Sequence, residues 1–82
     1  MELKDTIELM TSEDYKDRFK AEYYQTKIRH DKLHKMIIKY SAGKLDFTPT
    51  CPINVLMTQE RYMNECLKQL EIRAEIEGIE LY

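Results

Sequence analysis

The sequence predicts an all-α fold: an antiparallel two-helix hairpin that assembles into a helical-bundle oligomer. Three observations predict it. Between Thr11 and Ala42 there is neither Pro nor Gly. Within that stretch Phe19, Tyr23, Thr26, His30, Leu33, Ile37 and Tyr40 recur at alternating steps of four and three, the seam of a helix lying along a partner at a shallow angle. Only residues 43–51 separate this segment from a second one of similar length, a link too short to do anything but turn the chain back.

The first long helix is expected over about 12–42. Thr11 can cap it, with Asp14 three residues later as the capping-box partner and Met10 and Tyr15 in the staple positions. Glu13, Asp14 and Asp17 load the first turn with the sign that the helix dipole favours. Gly43 supplies the left-handed position after the last turn, in which Lys39 lies. Such a helix is a rod of roughly 46 Å. The second is expected over about 52–77. Thr50 or Cys51 caps it, Pro52 sits where its missing N–H costs nothing, and Gly78 ends it. Its seam reads Ile53, Leu56, Met63, Cys66 or Leu67, Leu70 and Ala74. Leu3, Ile7 and Leu9 allow a short helix ahead of both. The whole, residues 1–82, is one small domain, because a chain of 82 residues buries only about 60–65% of its unfolded surface.

Composition narrows the class further. Charged residues make up 34% and hydrophobic residues 43%, and no apolar run exceeds three residues, which excludes a membrane span and the core of a signal peptide. Two cysteines without a secretory segment read as reduced thiols of a cytoplasmic protein. Net charge is −2, but it is segregated. Residues 1–22 carry four basic and seven acidic side chains, residues 27–44 six basic and one acidic, and residues 60–80 three basic and six acidic. The basic middle either lies along acidic neighbours within the fold or forms an anion site. Binding of bulk nucleic acid is disfavoured, since an acidic chain lacks the electrostatic footprint.

Each helix also has apolar residues left over once its seam is used. These are Tyr24, Ile28, Met36 and Ile38 on the first, and Val55, Met57, Tyr62, Ile72 and Ile76 on the second. Two helices shield one stripe each, so a partner copy is expected to cover the rest, in a symmetric homodimer or a higher oligomer.

Signals for catalysis are weak. His30 and His34 stand at the i, i+4 spacing of two metal ligands, yet Arg29, Lys32 and Lys35 flank them and no adjacent Glu completes the pattern. No metal and no cofactor is expected, and the two histidines read as a seam member and a flank residue. Cys51 and Cys66 lie some four turns apart and have no neighbouring base. The carboxylate pairs of Glu71 with Glu75 and Glu77 with Glu80 sit on a polar face. Phosphate loops and nucleophile triads are absent, so the chain is not expected to be an enzyme.

The loop and its flanks are more informative. Lys32, Lys35 and Lys39 form a stripe that points to the loop end, where Lys44 follows. The loop adds Phe47, Thr48 and Thr50, with Pro49 holding it extended. Cations, hydroxyls and an aromatic face together are what a phosphorylated nucleotide requires. The alternative is that Leu45 and Phe47 plug the end of the hairpin while the threonines cap and the lysines are solvated.

The run Tyr23-Tyr24-Gln25 through Lys27-Ile28-Arg29, Leu33, Met36-Ile37 and Tyr40, then Leu45-Asp46-Phe47-Thr48-Pro49-Thr50-Cys51-Pro52, resembles small proteins of phages that infect Gram-positive bacteria. The ending Arg73-Ala74-Glu75-Ile76-Glu77-Gly78-Ile79-Glu80-Leu81 follows the same pattern. The architecture is also similar to phage helical hairpins that sequester the cyclic-nucleotide alarm signals of CBASS and Thoeris immunity, in sites between subunits. That likeness implies a non-catalytic counter-defence protein of the host bacterial cytoplasm. No motif of that group matches residue by residue, so the site is taken from the residues of the loop and its flanks: Lys35, Lys39 and Lys44 would neutralise phosphates, Tyr40 or Phe47 would stack on a base, and Thr48 and Thr50 would donate hydrogen bonds. The other expectation is a module that blocks a host protein through its apolar or acidic surface.

Overall fold

The computed structural model of the chain describes residues 1–81. A 3₁₀ turn, Leu3–Thr6, runs into a short helix α1 (Ile7–Met10), followed by two long helices, α2 (Tyr15–Ser41) and α3 (Ile53–Glu77). No strand occurs among the described residues. Contacts pair Tyr15 with Glu77, Tyr23 with Glu71 and His30 with Glu60, one position rising as the other falls, so α2 and α3 are antiparallel. The molecule measures 43 × 25 × 19 Å.

The heptad seam is the buried face of α2 from Phe19 to Ile37, whereas its last expected member, Tyr40, is exposed beyond the core. Phe19, Tyr23, His30 and Ile37 are buried, and Thr26 and Leu33 are half-buried. On α3 the buried positions are Leu67, Leu70 and Ala74, so Leu67 and not Cys66 takes the seam position, leaving the Cys66 thiol exposed. The apolar core joins Phe19, Tyr23, Leu67, Leu70, Ala74, Ile79 and Leu81. It therefore fills the half of the hairpin away from the loop. Beyond Gly78 the chain folds back onto it: the Ile79 N–H bonds the Ala74 carbonyl at 2.8 Å, and Tyr24 donates its hydroxyl to the Leu81 carbonyl at 2.7 Å. This tail covers Tyr24, one of the residues expected to be left over.

Both long helices start later than the sequence suggests. Thr11 bonds back to the Ile7 carbonyl through its hydroxyl and thereby closes α1. Asp14 is the N-cap of α2, accepting from the Lys16 N–H at 2.9 Å, while Ser12 bridges the Asp14 N–H and the Asp17 carboxylate. At α3 the cap position is Pro52, and neither Thr50 nor Cys51 makes a side-chain cap bond. The N-terminal segment is anchored on α2 by Thr6, fully buried, whose hydroxyl accepts from Gln25 at 2.8 Å.

Candidate functional site

The loop end is built by the way α2 stops. Gly43 takes φ 71°, its N–H reaches the Tyr40 carbonyl at 3.0 Å, and the Lys44 N–H reaches the Lys39 carbonyl at 2.8 Å. These two bonds form a Schellman motif, the preferred way to satisfy the last carbonyls of a helix. The motif holds Lys39 and Lys44 next to each other in space and turns the chain so that the loop crosses the end of α2. There Tyr40, Gly43, Leu45, Phe47, Thr48 and Pro49 line a shallow cavity of about 220 Å³. Of the residues singled out in sequence, Tyr40, Phe47 and Thr48 are brought together. Lys35, Lys39, Lys44 and Thr50 are exposed and stand outside that lining. Phe47 is 55% exposed, so its ring is available at the surface, and Leu45 is the half-buried member of the pair.

A second cluster lies midway along the hairpin. The His30 ring is 8% exposed in the seam, with Nε2 at 2.9 Å from Glu60 Oε1 and Nδ1 at 3.1 Å from Asp31 Oδ1. His34 Nδ1 reaches the same Glu60 oxygen at 3.1 Å, and the two imidazoles stack with centroids 5.7 Å apart. Lys27 bonds the far side of the arrangement, its ammonium 3.3 Å from Asp31. Burial pushes the Asp31 carboxyl upward, but its hydrogen bonds with His30 and Lys27 outweigh this and hold it below the usual carboxylate value. Sequence reading missed Glu60. The signal was the gap between Leu56 and Met63, where an α3 seam with steps of four and three requires residue 60.

Two further concavities flank these sites. One of about 410 Å³, at the end away from the loop, is lined by Glu71, Ala74, Glu75, Ile79, Glu80 and Leu81. Its carboxylates repel an anion. Glu71 belongs to the packing as well, accepting from the buried Tyr23 hydroxyl at 2.6 Å. The other is an open apolar groove of about 510 Å³ along α3, lined by Val55, Thr58, Gln59, Tyr62, Met63 and Cys66, with Thr26 of α2 at its edge. No described helix is long and apolar enough to cross a membrane.

Among known protein families, the model of the Sequestin family matches residues 13–76, from just before the cap of α2 almost to the end of α3. Neither the curated proteins nor the solved structures give a match.

Proposed function

The chain belongs to the Sequestin family, whose name denotes sequestration, and from that premise we propose that it is a non-catalytic phage counter-defence protein. In this reading it works in the cytoplasm of the host bacterium and sequesters a cyclic-nucleotide immune signal in pockets of a helical oligomer. The observation that carries the nucleotide part is the loop end, where the cavity of Tyr40, Phe47 and Thr48 adjoins Lys39 and Lys44, joined by a backbone hydrogen bond. An aromatic ring supports a base, a hydroxyl donates to an oxygen, and ammonium groups neutralise phosphate. Lys35, one turn back from Lys39, and Thr50, two residues beyond Thr48, are exposed and would add a further cation and hydroxyl. The overall charge of −2 does not oppose this, because residues 27–44 are locally basic.

Size argues for more than one protomer in each pocket. Ligand sites span roughly 300–1,000 Å³, and the loop cavity holds about 220 Å³. A single hairpin therefore offers one wall, and a second copy would complete the enclosure.

The test is a thermal-shift screen of the chain with cyclic di- and trinucleotides. A bound member at about 100 times its Kd stabilises by about 2.7 kcal/mol, and the Lys39→Ala/Lys44→Ala double variant is expected to lose that shift while keeping its helicity. A flat screen overturns the reading. The second reading, a blocker of a host protein, is favoured by the apolar groove beside Tyr62. Capture of one defined host protein, abolished by Tyr62→Glu, would replace the first.

A further inference from the structure

The polar cluster inside the seam supports an inference that does not rest on the nucleotide reading. We propose that His30 Nε2, His34 Nδ1 and Glu60 Oε1 form a binding site for a divalent transition-metal cation of the zinc–cobalt–nickel class. The three ligand atoms lie within 4.8 Å of one another. The two nitrogens stand at 2.9 and 3.1 Å from the carboxylate oxygen. Ligands at about 2.0–2.1 Å on a tetrahedral ion are separated by roughly 3.3 Å, so small side-chain adjustments seat an ion. Two histidines one turn apart on a helix, with an acid from the facing helix, also fix three ligands on rigid elements.

A count of hydrogens gives an independent argument. Both nitrogens of His30 face carboxylate oxygens, Asp31 on one side and Glu60 on the other. A neutral imidazole carries one N–H and can satisfy one of them. The other nitrogen then turns a lone pair toward its carboxylate, an arrangement that a cation bound by both would relieve. With the Nδ1 hydrogen donated to Asp31, the lone pair of Nε2 points at Glu60, the tautomer that a metal at that position needs. Asp31 then acts as the carboxylate that commonly orients a metal-bound histidine from behind, and Lys27 holds Asp31 in place at 3.3 Å.

The surroundings set the kind of ion. Two imidazoles and one carboxylate suit zinc, cobalt, nickel or copper and not magnesium or calcium, which prefer oxygen alone. His30 and Glu60 are sheltered between the helices, while the His34 side chain is 51% exposed, so the site opens toward solvent on one side. A fourth position there is free for water or an anionic oxygen. The cations flagged in sequence do not close it: Lys27 is turned onto Asp31, and Arg29, Lys32 and Lys35 are exposed, where water and salt screen them.

The experiment is a titration of the full-length, untagged and chelator-stripped chain with Co²⁺ alone at neutral pH, read by visible absorption, followed by displacement with Zn²⁺. A saturable band at one ion per chain is expected, lost on adding zinc. His34→Ala and Glu60→Gln should each weaken Co²⁺ binding at least tenfold while leaving the helical circular dichroism intact, and Asp31→Asn should weaken it roughly tenfold by freeing the His30 ring. His30 is buried and its replacement can unfold the chain, so the assignment rests on the other three variants. Absence of a saturable band overturns the site. So does a thiolate-to-cobalt charge-transfer band, which would place the ion on Cys51 or Cys66, and so does unchanged affinity in both His34→Ala and Glu60→Gln.

Discussion

Single side chains tie the two long helices together through polar bonds that cross the seam at three levels. Tyr23 donates to Glu71, His30 meets Glu60, and near the open end Tyr15 donates to Glu77 at 2.7 Å while receiving from Arg73 at 2.9 Å. Arg73 also lies over the Phe19 ring at 4.9 Å, so its charge and its plane are both used. The Glu77 carboxylate that accepts the Tyr15 proton raises that phenol above its ordinary value of 10.0, burial adds to this, and Arg73 pulls the other way. A group with a raised folded value adds stability that is complete below the unfolded value and is lost as pH climbs through the folded one. Tyr15 therefore contributes at neutral pH and ceases to contribute only above pH 10. Urea midpoints of the chain and of Tyr15→Phe should differ at pH 7 and converge in strong alkali. A gap that stays constant across that range would mean that the hydroxyl bond to Glu77 adds nothing.

Helix ends decide how the elements meet. Gly78 takes φ 70° after α3, a conformation that costs an L-residue about 1–2 kcal/mol, and it directs Ile79 and Leu81 into the core. A methyl group added there meets nothing within 4 Å, so the penalty of Gly78→Ala is one of backbone alone. It should lower the melting temperature by several degrees, given about 4–8 °C per kcal/mol for a domain of this size. Gly78→Asn, which tolerates the left-handed region better, should lower it less. Equal losses for the two variants would show that φ is not the cause. At this scale most of the structure was legible: the steps of four and three between Phe19 and Ile37 gave α2 and its buried face, and the short link 43–51 gave the antiparallel return. Three things were not. The tail after Gly78 is too short to show a period, so the burial of Ile79 and Leu81 has no signal in sequence. Thr11 and Asp14 are both good caps, and only the neighbouring α1, which uses the Thr11 hydroxyl, decides between them. Glu60 escaped because a seam is sought among apolar residues, whereas a polar seam member on one helix, His30, calls for a polar one opposite. The loop residues Tyr40, Phe47 and Thr48 were identifiable by type. Which lysines stand beside them depends on the Schellman turn, a feature of backbone geometry.

For the whole molecule the decisive quantity is surface. The chain exposes 6117 Å², whereas a compact monomer of 9.9 kDa is expected to expose about 5,200 Å². The excess is close to the roughly 800 Å² that each partner contributes to a standard interface. Exposed large apolar side chains occur at both ends of the molecule, with Met1, Ile7, Met10, Tyr15, Ile72 and Ile76 in the N-terminal segment and the core half and the others toward the loop. Ile38, Tyr40, Phe47, Val55 and Met57 are all about half exposed in the loop half, and Tyr62, at 65%, continues that apolar surface along α3. Covering these residues with a second copy would bring the loop cavity of one protomer toward another, which the proposed shared pocket requires. The predicted outcome is that the purified chain scatters light with at least twice the mass of a single 9.9 kDa copy at micromolar concentration. Val55→Asp with Tyr62→Glu, both at exposed positions and so harmless to the hairpin's own packing, should return it to single copies with unchanged helicity. Under the nucleotide reading the same pair should also weaken ligand binding, although neither residue lines the loop cavity. A wild-type chain that is fully folded and monomeric at that concentration would remove the oligomer and, with it, any pocket that needs a second wall.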